Sequence, residues 1–294
     1  MKVRITIMMA LAIVTSAWAA PGVTFLEIPV GARESALGGA GAALITGPTS
    51  ATYNPAAVGF TARSVAVMHN RHFSDTRSQF IGFTVRRGAL AISPSFWGTR
   101  VSDIEYRTEP SRDPISEFDA TNEAVGVAAA YEVTSNIAVG FAGKYLHQKI
   151  LLESSEGWSV DAGVMARLPE QGLTAGLALN HAGNMNEFLA EKPTLPTTIR
   201  GGIAYAHTVG SLGTALITAD ALAINDSAPQ FRGGIELRAT NYFAARAGLV
   251  EGLDAQAFSC GFGVFIKHIQ FDYAFIPYRE NLGDGHRFSL GLEI

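Results

Sequence analysis

Eight ionisable residues, Lys144, Asp161, Arg167, Arg200, Glu236, Arg238, Arg246 and Asp272, share one property: each falls on the small or polar side of a stretch whose other side is apolar. Charges of both signs on one side of several segments have two uses. They pair with one another and tie segments together, which is the expected role, or a guanidinium such as Arg200 or Arg246 grips a ligand carboxylate through its parallel N–H donors. Arg33, in a separate N-terminal stretch, has Asp161 and Asp272 as prospective partners. His69 and His72 are spaced three apart, on opposite faces of an extended chain, and cannot share a metal ion. The histidines and serines accompany no nucleophile elbow, and Gly38-Gly39-Ala40-Gly41 lacks the lysine and preceding strand of a phosphate loop. The expectation is a protein that is not an enzyme, with no catalytic residues, no metal and no cofactor. A net charge of −4 without a basic stripe excludes nucleic acid as a partner.

The elements that position these charges are strands. From 63 onward, segments of about ten residues alternate with period two. Ile269, Phe271, Tyr273 and Phe275 oppose Gln270, Asp272 and Ala274, and Phe288, Leu290 and Leu292 oppose Arg287, Ser289 and Gly291. Trp158, Val160, Ala162 and Val164 oppose Ser159, Asp161, Gly163 and Met165. The second face is glycine, alanine, serine and isolated charge, which suits a crowded barrel interior better than the lysine-rich and glutamate-rich solvent face of a sandwich. Charged residues make up only 16% of the chain, yet no long apolar run follows the N-terminus, so helical membrane spans are excluded. The reading is all-β, a transmembrane antiparallel barrel of about fourteen strands over 63–294. Tyr131, Tyr145, Trp158, Tyr242 and Tyr278 are placed for an interfacial girdle. Short connections such as 134–136 and 169–172 alternate with long ones, 102–120 and 183–196.

Residues 1–19 have a basic start, a short apolar run and Ala17-Trp18-Ala19, as a cleaved secretory signal does. Residues 20–62 break the strand grammar and form a glycine- and alanine-rich hatch in the lumen, with Tyr53-Asn54-Pro55 turning into a short helix. Pro94 interrupts a strand-like stretch and can donate no ladder bond, so a bulge or a gap in the wall is expected there; it either lies at the rim, the favoured reading, or marks a lateral opening for a hydrophobic ligand or partner segment.

The hatch residues Arg33, Ala36-Leu37-Gly38-Gly39-Ala40 and Asn54-Pro55-Ala56, with the closing Asp272-Tyr273-Ala274-Phe275 and His286-Arg287-Phe288-Ser289-Leu290, resemble the two ends of the PorV/PorQ family. That family belongs to the wider FadL-like fatty-acid transporter fold. Ile294 departs from its pattern, which ends in an aromatic residue. The resemblance implies a fourteen-stranded barrel with an N-terminal hatch in a bacterial outer membrane. It also implies contact with a ligand or partner at Arg33, Gly38, Gly39, Asn54 and Pro55, and an accessory role in type IX-like secretion or surface attachment. The polar 102–120 connection favours that role, with secretion-system proteins or secreted cargo as partners besides membrane lipid. The alternative is a FadL-like channel for fatty acids or other hydrophobic small molecules, for which Met185, Phe188 and Leu189 in an outer connection speak.

Overall fold

The computed structural model describes residues 22–72, 76–109, 112–188, 191–210, 213–239, 242–280 and 282–294; the expected signal peptide and Leu189 lie outside them. Fourteen strands follow one another: β1 (Ser64–Arg71), β2 (Thr76–Arg87), β3 (Leu90–Tyr106), β4 (Ser116–Thr134), β5 (Ile137–Ile150), β6 (Glu153–Leu168), β7 (Leu173–Met185), β8 (Thr198–Val209), β9 (Gly213–Ile224), β10 (Gln230–Ala239), β11 (Phe243–Glu251), β12 (Phe258–Ile266), β13 (Ile269–Pro277) and β14 (Asp284–Glu293). Each pairs antiparallel with its sequence neighbours, and β1 also pairs with β14, so the sheet closes. Closure is what hydrocarbon demands of strands, because an open edge would leave N–H and C=O groups with nothing to bond. This is the expected all-β barrel, and it is a protein of the bacterial outer membrane.

The alternation sets the faces. Phe141, Trp158, Ile203, Phe231 and Leu249 point outward and are exposed, while Ala142, Ser159, Ala204, Arg232 and Ser259 point inward and are buried. Tyr131, Tyr145, Trp158 and Tyr242 are on the outer surface, but Tyr278 is not. It shares the inward parity of Asp272 and Ala274, packs against a lumen cluster and shares a hydrogen bond of 3.1 Å between its hydroxyl and His72 Nδ1.

At one end the connections are tight, at 88–89, 135–136, 169–172 and 267–268. That end holds the start of β1 and the end of β14 and is the periplasmic one; the other carries the longer connections, 107–115 and 186–197. The expected long loop over 102–120 is mostly strand. β3 runs to Tyr106 and β4 begins at Ser116, paired across an irregularity between Val101 and Ile104. Beyond the lipid both faces meet water, so the apolar alternation stops while the backbone ladder continues.

Residues 22–62 form 3-10 turns at Thr24–Glu27, Gly47–Thr52 and Pro55–Phe60 and one short helix, α1 (Ala32–Ala36). They lie against the inner wall, which is cleared for them by a belt of glycines. Gly140, Gly163, Gly176, Gly202, Gly234 and Gly248 face the hatch from β5, β6, β7, β8, β10 and β11, and they pair across strands as Gly140 with Gly163, Gly176 with Gly202, and Gly234 with Gly248. A Cβ on Gly163 would lie 2.1 Å from Asn54 Oδ1, and one on Gly248 2.1 Å from Gly38 N. The hatch backbone stands directly on the wall there. Gly163→Val is expected to lower stability by about 1–3 kcal/mol, as overpacking does, read as an earlier midpoint in heat-shifted gel migration. Gly143→Val, on β5 with open space around its Cβ, is the control and leaves the midpoint in place.

Candidate functional site

The lumen holds three polar clusters and an apolar chamber. In the first cluster, Arg33 Nε and Nη2 donate to the two Glu236 oxygens at 2.8 Å each. Arg246 Nε donates to Glu236 at 2.5 Å and its Nη1 to Asp272 at 2.7 Å, and Gln270 holds the other Asp272 oxygen at 2.7 Å. Glu236 and Arg246 are cross-strand partners on β10 and β11, which is why inward alternation brings them together. The expected partners of Arg33 were Asp161 and Asp272; Glu236 takes it, because Asp272 is held by Arg246 and Asp161 lies elsewhere in the lumen with Lys144, at 2.5 Å. His181 completes that second cluster, its N–H donating to Asp161 at 2.8 Å. Burial opposes the Arg33 charge, but the Glu236 carboxylate outweighs it and raises the arginine above its ordinary pKa. Beside it, burial lifts the Glu34 carboxyl, against hydrogen bonds donated by Thr46 and Thr49.

A third cluster binds hatch backbone. Asp220 on β9 accepts from Gly41 N and Ala42 N at 2.9 Å each, and Arg200 donates to Asp220 at 3.2 Å and to Gly39 O at 3.0 Å. Arg287 donates to Pro29 O and Ser35 Oγ at 2.6 Å. Asp220, Arg287 and Glu34 were not singled out from sequence, although the inward parity of Asp220 and Arg287 was available as a signal. Gly38 and Gly39 have φ of +71° and +77°, where side chains are disfavoured, and a Cβ on Gly38 would meet Leu249 O at 2.6 Å. Asn54 is fully buried: its Nδ2 donates to Ala42 O and Val164 O, and its Oδ1 accepts from Ala56 N, capping the turn that Pro55 opens. Arg167 lies over the Phe60 ring and Arg238 over Phe265 near the periplasmic end. Every charge expected in the lumen is thus engaged with the wall or the hatch.

One part of the lumen differs. Ala66, Met68, Phe80, Trp97, Ala124, Leu146, Met185 and Leu195 wall an apolar chamber, and the chain's own Val23, Phe25, Leu26 and Val30 fill it. Phe25 and Trp97 rings are 5.3 Å apart. Beneath them a cavity of about 20 Å³, room for a single water, is lined by Tyr53, Trp97, Asn180, His181, Arg200 and Arg232 among others. Trp97 Nε1, both Asn180 amide atoms and the Nε atoms of Arg200 and Arg232 are buried here without a hydrogen-bond partner. Such groups are costly unless something accepts and donates to them. Above, a cavity of about 290 Å³ opens at the outer mouth, with Gly22, Gln148, Ile150, Phe188 and Lys192 around it.

The ladder is also interrupted beside Pro94. Pairing of β3 with β2 lapses at Ser93 and Pro94 opposite Phe83 and Thr84, while pairing with β4 continues through both. Ser93 Oγ donates to Phe83 O at 2.7 Å and Thr84 Oγ1 lies 3.2 Å from it, so two hydroxyls stand in for the missing proline N–H. Among the described residues no group of histidine, cysteine and carboxylate side chains is placed to hold a metal ion.

This architecture has solved counterparts. The chain shares its fold with monoaromatic hydrocarbon channels. Against the toluene transporter TbuX of Ralstonia pickettii the TM-score is 0.64 at 15% identity, over 90% of this chain and 98% of that one. Against the CymD monoaromatic hydrocarbon channel it is 0.68 at 12% identity, over 94% and 99%. Against the toluene transporter TodX of Pseudomonas putida it is 0.60 at 10% identity, over 88% and 95%. No protein-family model matches the chain, and no curated protein matches its sequence. The likeness is one of fold, to FadL-like channels, and it does not single out PorV/PorQ. Because Glu236 lies between two guanidiniums, Glu236→Ala is expected to lower stability to denaturant by about 3–5 kcal/mol, the effect of removing one partner from a buried ion pair. A loss below about 1 kcal/mol would show the network to be dispensable.

Proposed function

We propose that this protein is an outer-membrane channel for small hydrophobic molecules, the alternative raised by the sequence rather than the secretion role. The observation that carries the reading is the apolar chamber around Trp97. Barrel interiors are ordinarily polar, and a greasy chamber suits a cargo that must leave water. The fold shared with hydrocarbon channels supports it, and the secretion role draws no support from those likenesses. In this reading a ligand enters at the mouth near Phe188, displaces Phe25 and Leu26 from the chamber, and presents any polar end to Asn180, Trp97 Nε1 and Arg232. Arg246 is not available to a carboxylate, since Glu236 and Asp272 occupy it. The exit is sideways at the β2–β3 seam, where two side-chain hydroxyls replace a backbone hydrogen bond and give way more readily than a ladder.

The test uses the mature chain in lipid vesicles, with uptake of toluene and of dodecanoic acid compared with protein-free vesicles. Saturable uptake of either supports the channel, and rates equal to the protein-free control sink it. In a Cys260→Ser background, Thr84→Cys with Ser93→Cys places two thiols across the seam. Oxidation is expected to stop uptake and reduction to restore it; unchanged uptake after oxidation removes the lateral exit while leaving the channel.

A further inference from the structure

β7 breaks its alternation at one point. Asn180 and His181 are consecutive and both buried, the pairing of β6 with β7 shifts register between Val160 and Ala162, and His181 has a φ of +60°. This is a bulge, and bulges re-aim side chains beside functional sites. Asp161 holds it by accepting the His181 backbone N–H at 2.8 Å, and Lys144 pairs with Asp161. Two successive side chains thus face the cavity of about 20 Å³ that Trp97, Arg200 and Arg232 also line.

Asn180 is 2% exposed, and both of its amide atoms lack a hydrogen-bond partner among the described residues. Trp97 Nε1, Arg200 Nε and Arg232 Nε are buried in the same condition. The residues around the cavity therefore leave four donor atoms and one acceptor atom, Asn180 Oδ1, to be answered. Left unanswered, each costs free energy that packing does not return. Leu26, Val30 and Trp97 belong both to this cavity and to the apolar chamber. A molecule that takes the place of Leu26 in the chamber brings its end to these atoms.

Size and polarity together select that end. The space holds one group the size of a water. A hydrocarbon end satisfies none of the atoms around it. An ether or ketone oxygen accepts from the donors but gives nothing to Asn180 Oδ1. A carboxylate brings two oxygens and a negative charge beside Glu27, which borders the same cavity and already answers the Arg232 charge. A hydroxyl donates its one proton to Asn180 Oδ1 and accepts from two of the donors.

We propose that the cargo of this channel is a hydrophobic molecule ending in a hydroxyl, a phenol or an alcohol, and that Asn180 is the residue that selects it. The proposal rests on the channel reading and narrows its substrate class. Trp97 serves both parts of such a molecule, its ring against the apolar body and its Nε1 toward the oxygen. Asp161 and Lys144 are positioning residues that act through the bulge.

The mature chain in detergent is dialysed to equilibrium with p-cresol, 4-methylanisole, toluene or p-toluate, against protein-free micelles of the same detergent. p-Cresol is expected to bind about tenfold or more tighter than each of the others. N180L, and W97F, which keeps an aromatic ring without the Nε1 donor, are each expected to cut the preference for p-cresol over toluene to about threefold or less. Toluene or 4-methylanisole bound as tightly as p-cresol, p-toluate bound tightest, or a preference that both variants keep would overturn the hydroxyl site and leave the channel standing. Binding of none of the four above the micelle control sinks the channel reading itself, and the hydroxyl site with it. Should N180L fail the heat-shift test of folding, W97F decides.

Discussion

Everything here follows from the inability of hydrocarbon to hydrogen-bond a peptide group. Each strand must find partners on both sides, and the sheet answers by joining β1 to β14. Closure of fourteen strands then creates an interior too wide for their own side chains to fill. Residues 22–62 fill it, and their folded form is that of an object pressed against a wall: single turns, a helix of five residues, and the Gly41 and Ala42 amides bonded to Asp220 of the wall. The glycine belt and the buried ion pairs are two halves of one solution, since glycine lets the hatch backbone approach and charge holds it in register.

The same constraint operates locally at Pro94. A proline within a closed wall removes one donor that lipid cannot replace, and Ser93 supplies it from the side. The wall stays shut with a weaker bond in place of a stronger one. Where hydrocarbon ends, the constraint on side chains lapses, and β3 and β4 continue as polar strands.

Much of this was legible in the residues. Period-two alternation marked the strands, their number and the face of each side chain, because inside and outside of a barrel differ in solvent and the sequence must record the difference. Parity also placed Tyr278 inside, against its reading as a girdle residue. The polar tips of β3 and β4 read as a loop because the alternation there has no apolar side to reveal it. The charge partners were not legible: Arg33 had several inward acids to choose from, and only the register of β10 against β11, with Arg246 already holding Asp272, leaves Glu236 to it.

The sequence by itself determined the class of fold, the membrane face of each strand and an N-terminal stretch unlike the strands, all of which depend on local pattern and composition. Only the tertiary structure decided where the apolar chamber sits among the polar clusters and which charges meet. Those facts depend on strand register and on the path of the hatch, which are settled by packing between residues as many as 258 positions apart, as for Pro29 and Arg287.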